Sequence, residues 1–115
     1  MTEAIDPIIS PFAALDFIRD HSTALAEAKA TVLYLTEYRK SKKALLMIES
    51  DAKTESAKES YAYAHTDYID HIKALASAVQ EYERLRWLMV AAEAKISVWQ
   101  TLEATARIEM KASNI

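Results

Sequence analysis

Five successive residues, Arg39-Lys40-Ser41-Lys42-Lys43, hold the only concentrated charge in the chain, and Tyr34 and Tyr38 precede them. Cations beside aromatic rings are what single-stranded nucleic-acid binders use: the cations neutralise phosphates and the rings stack bases. On a helix, however, five successive positions cover the whole circumference, so these cations cannot all meet one duplex. Cations in the last turns of a helix also suit its macrodipole. A solvated helix face is the preferred reading. Nucleic-acid contact through Arg39, Lys40, Lys42 and Lys43 is the alternative; in a dimer two clusters could combine, and Arg84 and Arg86 could extend them.

Three further groups carry potential chemistry. In Glu81–Trp87 the pairs Glu81/Arg84 and Glu83/Arg86 stand at i, i+3 and read as helix-surface bridges. Arg86 and Trp87 are residue types that dominate binding hot spots, and beside an apolar seam they are assigned to a self-association interface. His65, Asp67, Asp70 and His71 have the types of metal ligands. A di-iron bundle needs Glu-x-x-His ligands from several helices, and none occurs here. A capping aspartate with a neighbouring surface histidine accounts for them instead. For nucleophilic catalysis there is no cysteine and no glycine-flanked serine. Phosphate loops and dinucleotide fingerprints require glycine, so neither an enzyme nor a cofactor or small-molecule site is expected.

That missing glycine also dictates the architecture. The 115 residues contain no glycine and only two prolines, Pro7 and Pro11. Without glycine there is no low-cost residue for positive-φ turns or Schellman caps, so long helices with minimal connections are expected. The apolar share of 51% and charged share of 27% fit a folded helical protein, although much of the apolar share is alanine, which buries little area. A net charge of −3 attracts neither nucleic acid nor an anionic membrane. The N-terminal residues do not read as a signal peptide, no run reaches the length of a membrane span, and a cytoplasmic location is expected.

Residues 1–10 read as an arm carrying Ile5, Ile8 and Ile9. Ser10-Pro11 reads as an N-cap followed by a first-turn proline, opening a helix over about 11–20. His21-Ser22-Thr23 offers a break, with an uninterrupted helix as the alternative. A second helix over about 23–50 has its seam at Leu25, Ala28, Val32, Leu35, Tyr38, Leu45 and Ile48, interrupted at Lys42. The polar run SDAKTES places a turn region over 51–66, with a short helix or frayed turn at 54–64 and Thr66 or Asp67 as the next cap. The third helix, about 67–111, has its seam at Tyr68, Ile72, Leu75, Val79, Tyr82, Leu85, Met89, Ala92, Ile96, Trp99, Leu102, Ala106 and Met110. Their mean spacing of about 3.5 is that of a left-handed coiled coil.

The fold class is therefore all-α: an elongated antiparallel helical hairpin, a single helical domain over 11–115, with a short N-terminal helix. Centring the turn near residue 58 pairs positions summing to about 116, so Tyr38 is expected opposite Val79, Val32 opposite Arg84/Leu85 and Leu25 opposite Ala91/Ala92. Leu33, Tyr34, Leu46, Met47, Trp87, Leu88, Val90 and Val98 lie off the seam and form a second apolar face. Assembly into a multi-helix bundle as a homodimer or higher oligomer follows, with Tyr34, Leu46, Met47, Arg86, Trp87 and Trp99 as the candidate oligomer or partner interface.

The segments EYRKSKKALLM (37–47), AYAH (62–65) and LRWLMVAAEAKISVWQTLEATAR (85–107) resemble small helical proteins of unassigned activity encoded in bacteriophage and prophage genomes near early recombination or replication genes. The resemblance implies an accessory protein of the bacterial cytoplasm that contacts a host or phage protein. It carries over no functional residue.

Overall fold

The computed structural model describes residues 10–114; of the expected N-terminal arm, all but Ser10 lies outside them. The fold is all-α, with α1 (Pro11–Glu49), α2 (Glu55–Ala64) and α3 (Thr66–Ser113) and no strand among the described residues. Ser10 caps α1 as its type suggests: its hydroxyl accepts from the Ala13 N–H at 3.4 Å and its carbonyl from the Ala14 N–H at 3.2 Å. Pro11 fills the first helical position, where no N–H is needed.

The break expected at 21–23 does not occur. Ser22 hydroxyl donates to the Arg19 carbonyl at 3.3 Å, so it bonds back into the preceding turn instead of capping a new one. His21 does the same through Nδ1 to the Phe17 carbonyl at 2.9 Å, with its ring stacked on Phe17. With no helix breaker present, α1 continues for 39 residues.

The turn chemistry is built without any positive φ among the described residues. Ser50 Oγ accepts from the Ala52 N–H at 3.1 Å. Thr54, at φ −114° and ψ 155°, caps α2 by accepting from the Ala57 N–H at 3.1 Å. His65 then ends one helix and starts the next. Its N–H donates to the Ala62 carbonyl at the end of α2, while its own carbonyl accepts from Tyr68 and Ile69 at the start of α3. Its ring Nδ1 accepts from the Asp67 N–H at 3.0 Å. The expected caps, Thr66 and Asp67, sit one and two positions too late: an unprotonated imidazole nitrogen performs the task usually given to a hydroxyl or carboxylate.

The helical domain divides into two compact units. One is Ala24–Arg84; the other joins the residues up to Thr23 to those from Leu85 onward. In the Ala24–Arg84 unit, α3 returns antiparallel to α1, and this hairpin bears out the expected fold class. The seam on α1 falls at Ala14, Ile18, His21, Leu25, Ala28, Val32, Leu35, Arg39, Lys42 and Leu46, all buried or half-buried. Those positions alternate four and three without a break. On α3 the buried and half-buried phase runs Tyr68, His71, Leu75, Ala78, Tyr82, Leu85, Met89, Ala92 and Ile96, alternating three and four. Both are heptad seams.

Several seam assignments change. Leu45 and Ile48 are 55% and 80% exposed, because the phase passes through Arg39 and Lys42 and closes on Leu46. Long cationic side chains can hold such positions by burying their alkyl stems. On α3, His71 and Ala78 take the places expected for Ile72 and Val79, which are 37% and 39% exposed. Past Ile96 only Ala104 is even half-buried, so Trp99, Leu102, Ala106 and Met110 do not extend the inward seam.

His71 explains the shifted register. It is 9% exposed, not a surface histidine, and its Nε2 lies 2.7 Å from the Leu35 carbonyl. A carbonyl only accepts, so Nε2 carries the hydrogen. The His71 ring also lies 5.8 Å from that of Tyr38, so Tyr38 faces His71 and not Val79. Because Glu59 and Tyr61 of α2 already lie beside Lys43 and Glu49 of α1, the chain reverses over residues 50–54, ahead of α2, and not near residue 58.

His71→Ala removes a buried hydrogen bond and a packed ring, and is expected to lower unfolding stability by about 2 kcal/mol in urea titration. His65→Ala is expected to cost about 1 kcal/mol, and His65→Asn to restore most of it. Equal stability of the two His65 variants would refute the capping role.

Candidate interaction surface

The structure disperses the basic cluster around α1 and gives its three lysines partners within the chain. Lys40, exposed, pairs with Glu37 at 3.2 Å. Lys42 points its Nζ over the Tyr38 ring, 5.7 Å from the centroid. Lys43 Nζ donates to Glu59 Oε2 on α2 at 2.8 Å and lies 4.9 Å from the Tyr63 ring centroid. Arg39 is half-buried in the seam phase. No common face presents all four cations.

Lys43 is instead half of a clip that holds α2 to the end of α1. In the other half, Tyr61 hydroxyl donates to Glu49 Oε1 at 3.1 Å. The same carboxylate oxygen lies 3.7 Å from His65 Nε2. Between these contacts Ala62 is fully buried, its small side chain allowing α2 to lie close. Tyr63 and Tyr68 meet edge to face at 5.2 Å across the junction. The hydrogen bond to Glu59, then Tyr63, raises the Lys43 pKa. Bonding to Glu49, then burial, raises the Tyr61 phenol.

The apolar candidates separate into two classes. Leu46 is 3% exposed and belongs to the core, a correction that follows from the seam phase closing on it. Met47 is half-buried beside a groove that it shares with Ala44, Ile48, Glu55 and Lys58. Tyr34 is 64% exposed, stacked at 5.7 Å on Tyr38, and borders a shallow depression with Leu33, Glu37 and Ser41. Together Leu33, Tyr34, Leu45 and Ile48 leave an uncovered apolar surface on α1 in the Ala24–Arg84 unit.

In the other unit, Trp87 is 59% exposed with the Arg86 guanidinium 4.6 Å above its ring; Trp99 is 36% exposed. Ala13, Ala14, Ala91 and Ala92 floor a cleft of about 180 Å³ between Phe17 and Leu88. Glu81 holds Arg84 through two hydrogen bonds of 3.0 and 2.8 Å, the surface bridge expected from their spacing. It lowers the Glu81 pKa and raises that of Arg84.

Spacing alone did not single out His71, Glu59, Tyr61 or Glu49 as organising residues. Their contacts cross 36, 16 and 12 residues of sequence. The available signal was the strict heptad phase, which places His71 inward and Ile72 outward. Among the described residues no group of histidine and acidic side chains is arranged to hold a metal ion, and no helix is long and apolar enough to cross a membrane.

The clip has an alkaline limit. Both the Lys43 and Tyr61 values are raised on folding, so their contribution is complete below the ordinary values near pH 10 and is lost as pH rises through the raised ones. Glu49→Gln is expected to let Tyr61 ionise at lower pH than in the unaltered chain, read from phenolate absorbance with Tyr61→Phe as reference. An unchanged or higher titration midpoint would show that Glu49 does not govern this phenol.

Compared with known proteins, the chain matches no family model, no curated protein sequence and no solved structure.

Proposed function

We propose that this chain is a non-catalytic helical module that self-associates and works by protein–protein contact. One observation carries the reading. Among the described residues the buried apolar ones are Ala14, Leu46, Ala62, Leu85 and Ala92, three of them alanines, while nineteen large apolar or aromatic side chains are exposed. Single exposed apolar residues are ordinary, but faces of them on one helix are what partner helices cover. The Leu33–Tyr34 and Leu45–Ile48 pairs supply such a surface in one unit, and the Trp87–Val90 segment supplies another in the other.

The resemblance to phage-encoded helical proteins provides the setting of the proposal: an accessory factor in a bacterial cytoplasm that modulates a host or phage DNA-processing machine. Direct nucleic-acid binding ranks second, because three of the four cations that would meet phosphates, Lys40, Lys42 and Lys43, are engaged by Glu37, Tyr38, Glu59 and Tyr63.

Two measurements test these readings. Immobilised chain is expected to retain a bacterial protein that the double variant Tyr34→Ser, Ile48→Lys loses by tenfold or more, both positions being exposed enough to leave the fold intact. Equal retention by both proteins would remove this surface from the proposal. In a mobility-shift titration at low salt, no shift is expected. A salt-sensitive shift abolished by replacing Arg39, Lys40, Lys42 and Lys43 with alanine would put nucleic acid first.

A further inference from the structure

Besides its inward seam, α3 carries a second heptad register on the outward side. Positions 87, 91, 94, 98, 101, 105, 108 and 112 follow one another at 4, 3, 4, 3, 4, 3 and 4 residues, and none is charged in a chain whose charged share is 27%. All eight are exposed. A helix face meant for water carries charge at such positions. Leu88, Val90 and Leu102, also exposed, widen the stripe, of which Leu88 and Ala91 also border the cleft beside Ala13 and Phe17 of α1. All of it belongs to the unit that contains Leu85 onward.

We propose that this stripe binds a second copy of the chain, antiparallel, about a two-fold axis between residues 99 and 100. The proposal deepens the interaction reading above and rests on it. The occupant follows from the order of sizes along the stripe. In an antiparallel pair, positions summing to 199 meet. Trp87 then lies against Ala112 of the second copy, and Ile108 against Ala91. Val98 meets Thr101, and Ala94 meets Thr105. Each large side chain finds a smaller one, which lets the layers fill evenly. A parallel pair would stack Trp87 on Trp87 and set alanine on alanine in the next two layers, crowding one level and emptying its neighbours.

Polar groups fit the same arrangement. Thr101 hydroxyl already donates to the Ser97 carbonyl at 3.2 Å, so covering it leaves no unpaired donor. The flanking positions pair two off the core layers, at sums of 197 on one side and 201 on the other: Lys95 meets Leu102, Glu109 meets Leu88 and Lys111 meets Val90, so no like charges oppose each other and the alkyl stems cover apolar surface. Trp87, Val98, Leu102 and Ile108 are 59%, 47%, 52% and 69% exposed, the apolar surface that a second copy would cover.

Sedimentation equilibrium of the full chain is expected to give twice the 13.0 kDa chain mass. The double variant Val98→Glu, Ile108→Glu is expected to halve that mass while circular dichroism keeps its helix signal, since both positions are exposed. Because the chain lacks cysteine, orientation can be read from introduced ones. Mixed Val98→Cys and Thr101→Cys chains are expected to form a cross-linked pair under oxidation. Spin labels on Lys111→Cys are expected roughly 35 Å apart, from 23 residues of offset at the helical rise. A mass of one chain at every concentration, a dimer that survives both glutamates, or labels within about 15 Å would overturn the proposal. Should the chain be monomeric yet still retain its partner through Tyr34 and Ile48, only self-pairing falls; loss of that retention with the dimer intact defeats only the partner reading.

Discussion

In the Ala24–Arg84 unit, one hydrogen bond determines which turn of α3 lies beside which turn of α1: the buried imidazole of His71 on the Leu35 carbonyl. A heptad seam holds register weakly by itself, because a slide by one repeat sets similar side chains into similar holes. A buried donor cannot slide so cheaply. Displaced by a turn, His71 would lose its acceptor and keep the cost of its lost hydration. The stacked tyrosines Tyr34 and Tyr38 then extend this polar pin into an aromatic row toward the exposed side of α1. A similar use of a buried polar residue to set helix register is known in coiled coils generally.

The helices keep a heptad phase that composition alone would interrupt. Arg39 and Lys42 occupy seam positions, and the phase survives because their stems are apolar while their charged ends reach the margin. The consequence is a division of labour among the four cations, with Lys43 binding α2, Lys42 covering a ring and Lys40 pairing along its own helix. A sequence motif that looks like one patch becomes three separate local contacts and a half-buried arginine. Meanwhile the narrow seam spends few large apolar residues, and the rest are left outside. The exposed apolar faces are therefore a consequence of this composition and not an addition to it.

The all-α class, the capped start at Ser10-Pro11 and the hairpin were legible because they depend on local rules: a capping serine, a first-turn proline and a repeat near 3.5. The seam of α3 was legible at seven of its nine inward positions. It failed at Ile72 and Val79 because larger apolar residues stand next to the inward His71 and Ala78, and a search for hydrophobicity follows the larger neighbour. Leu45 and Ile48 misled in the same way beside Leu46. His65 was missed as a cap because imidazole is an uncommon capping group, and its role depends on which ring nitrogen is unprotonated. The register was out of reach, since it depends on the chain reversing at 50–54, ahead of α2, and on a contact spanning 36 residues.

Every described turn is closed at negative φ by a side chain: Ser50, Thr54 and His65 perform what glycine commonly does through backbone freedom. No described position is thereby reserved for a residue without a Cβ. The unfolded chain is correspondingly stiffer than one of average composition, so less conformational entropy is surrendered on folding. A protein with so slender an interior gains some of its persistence from the state that it leaves behind.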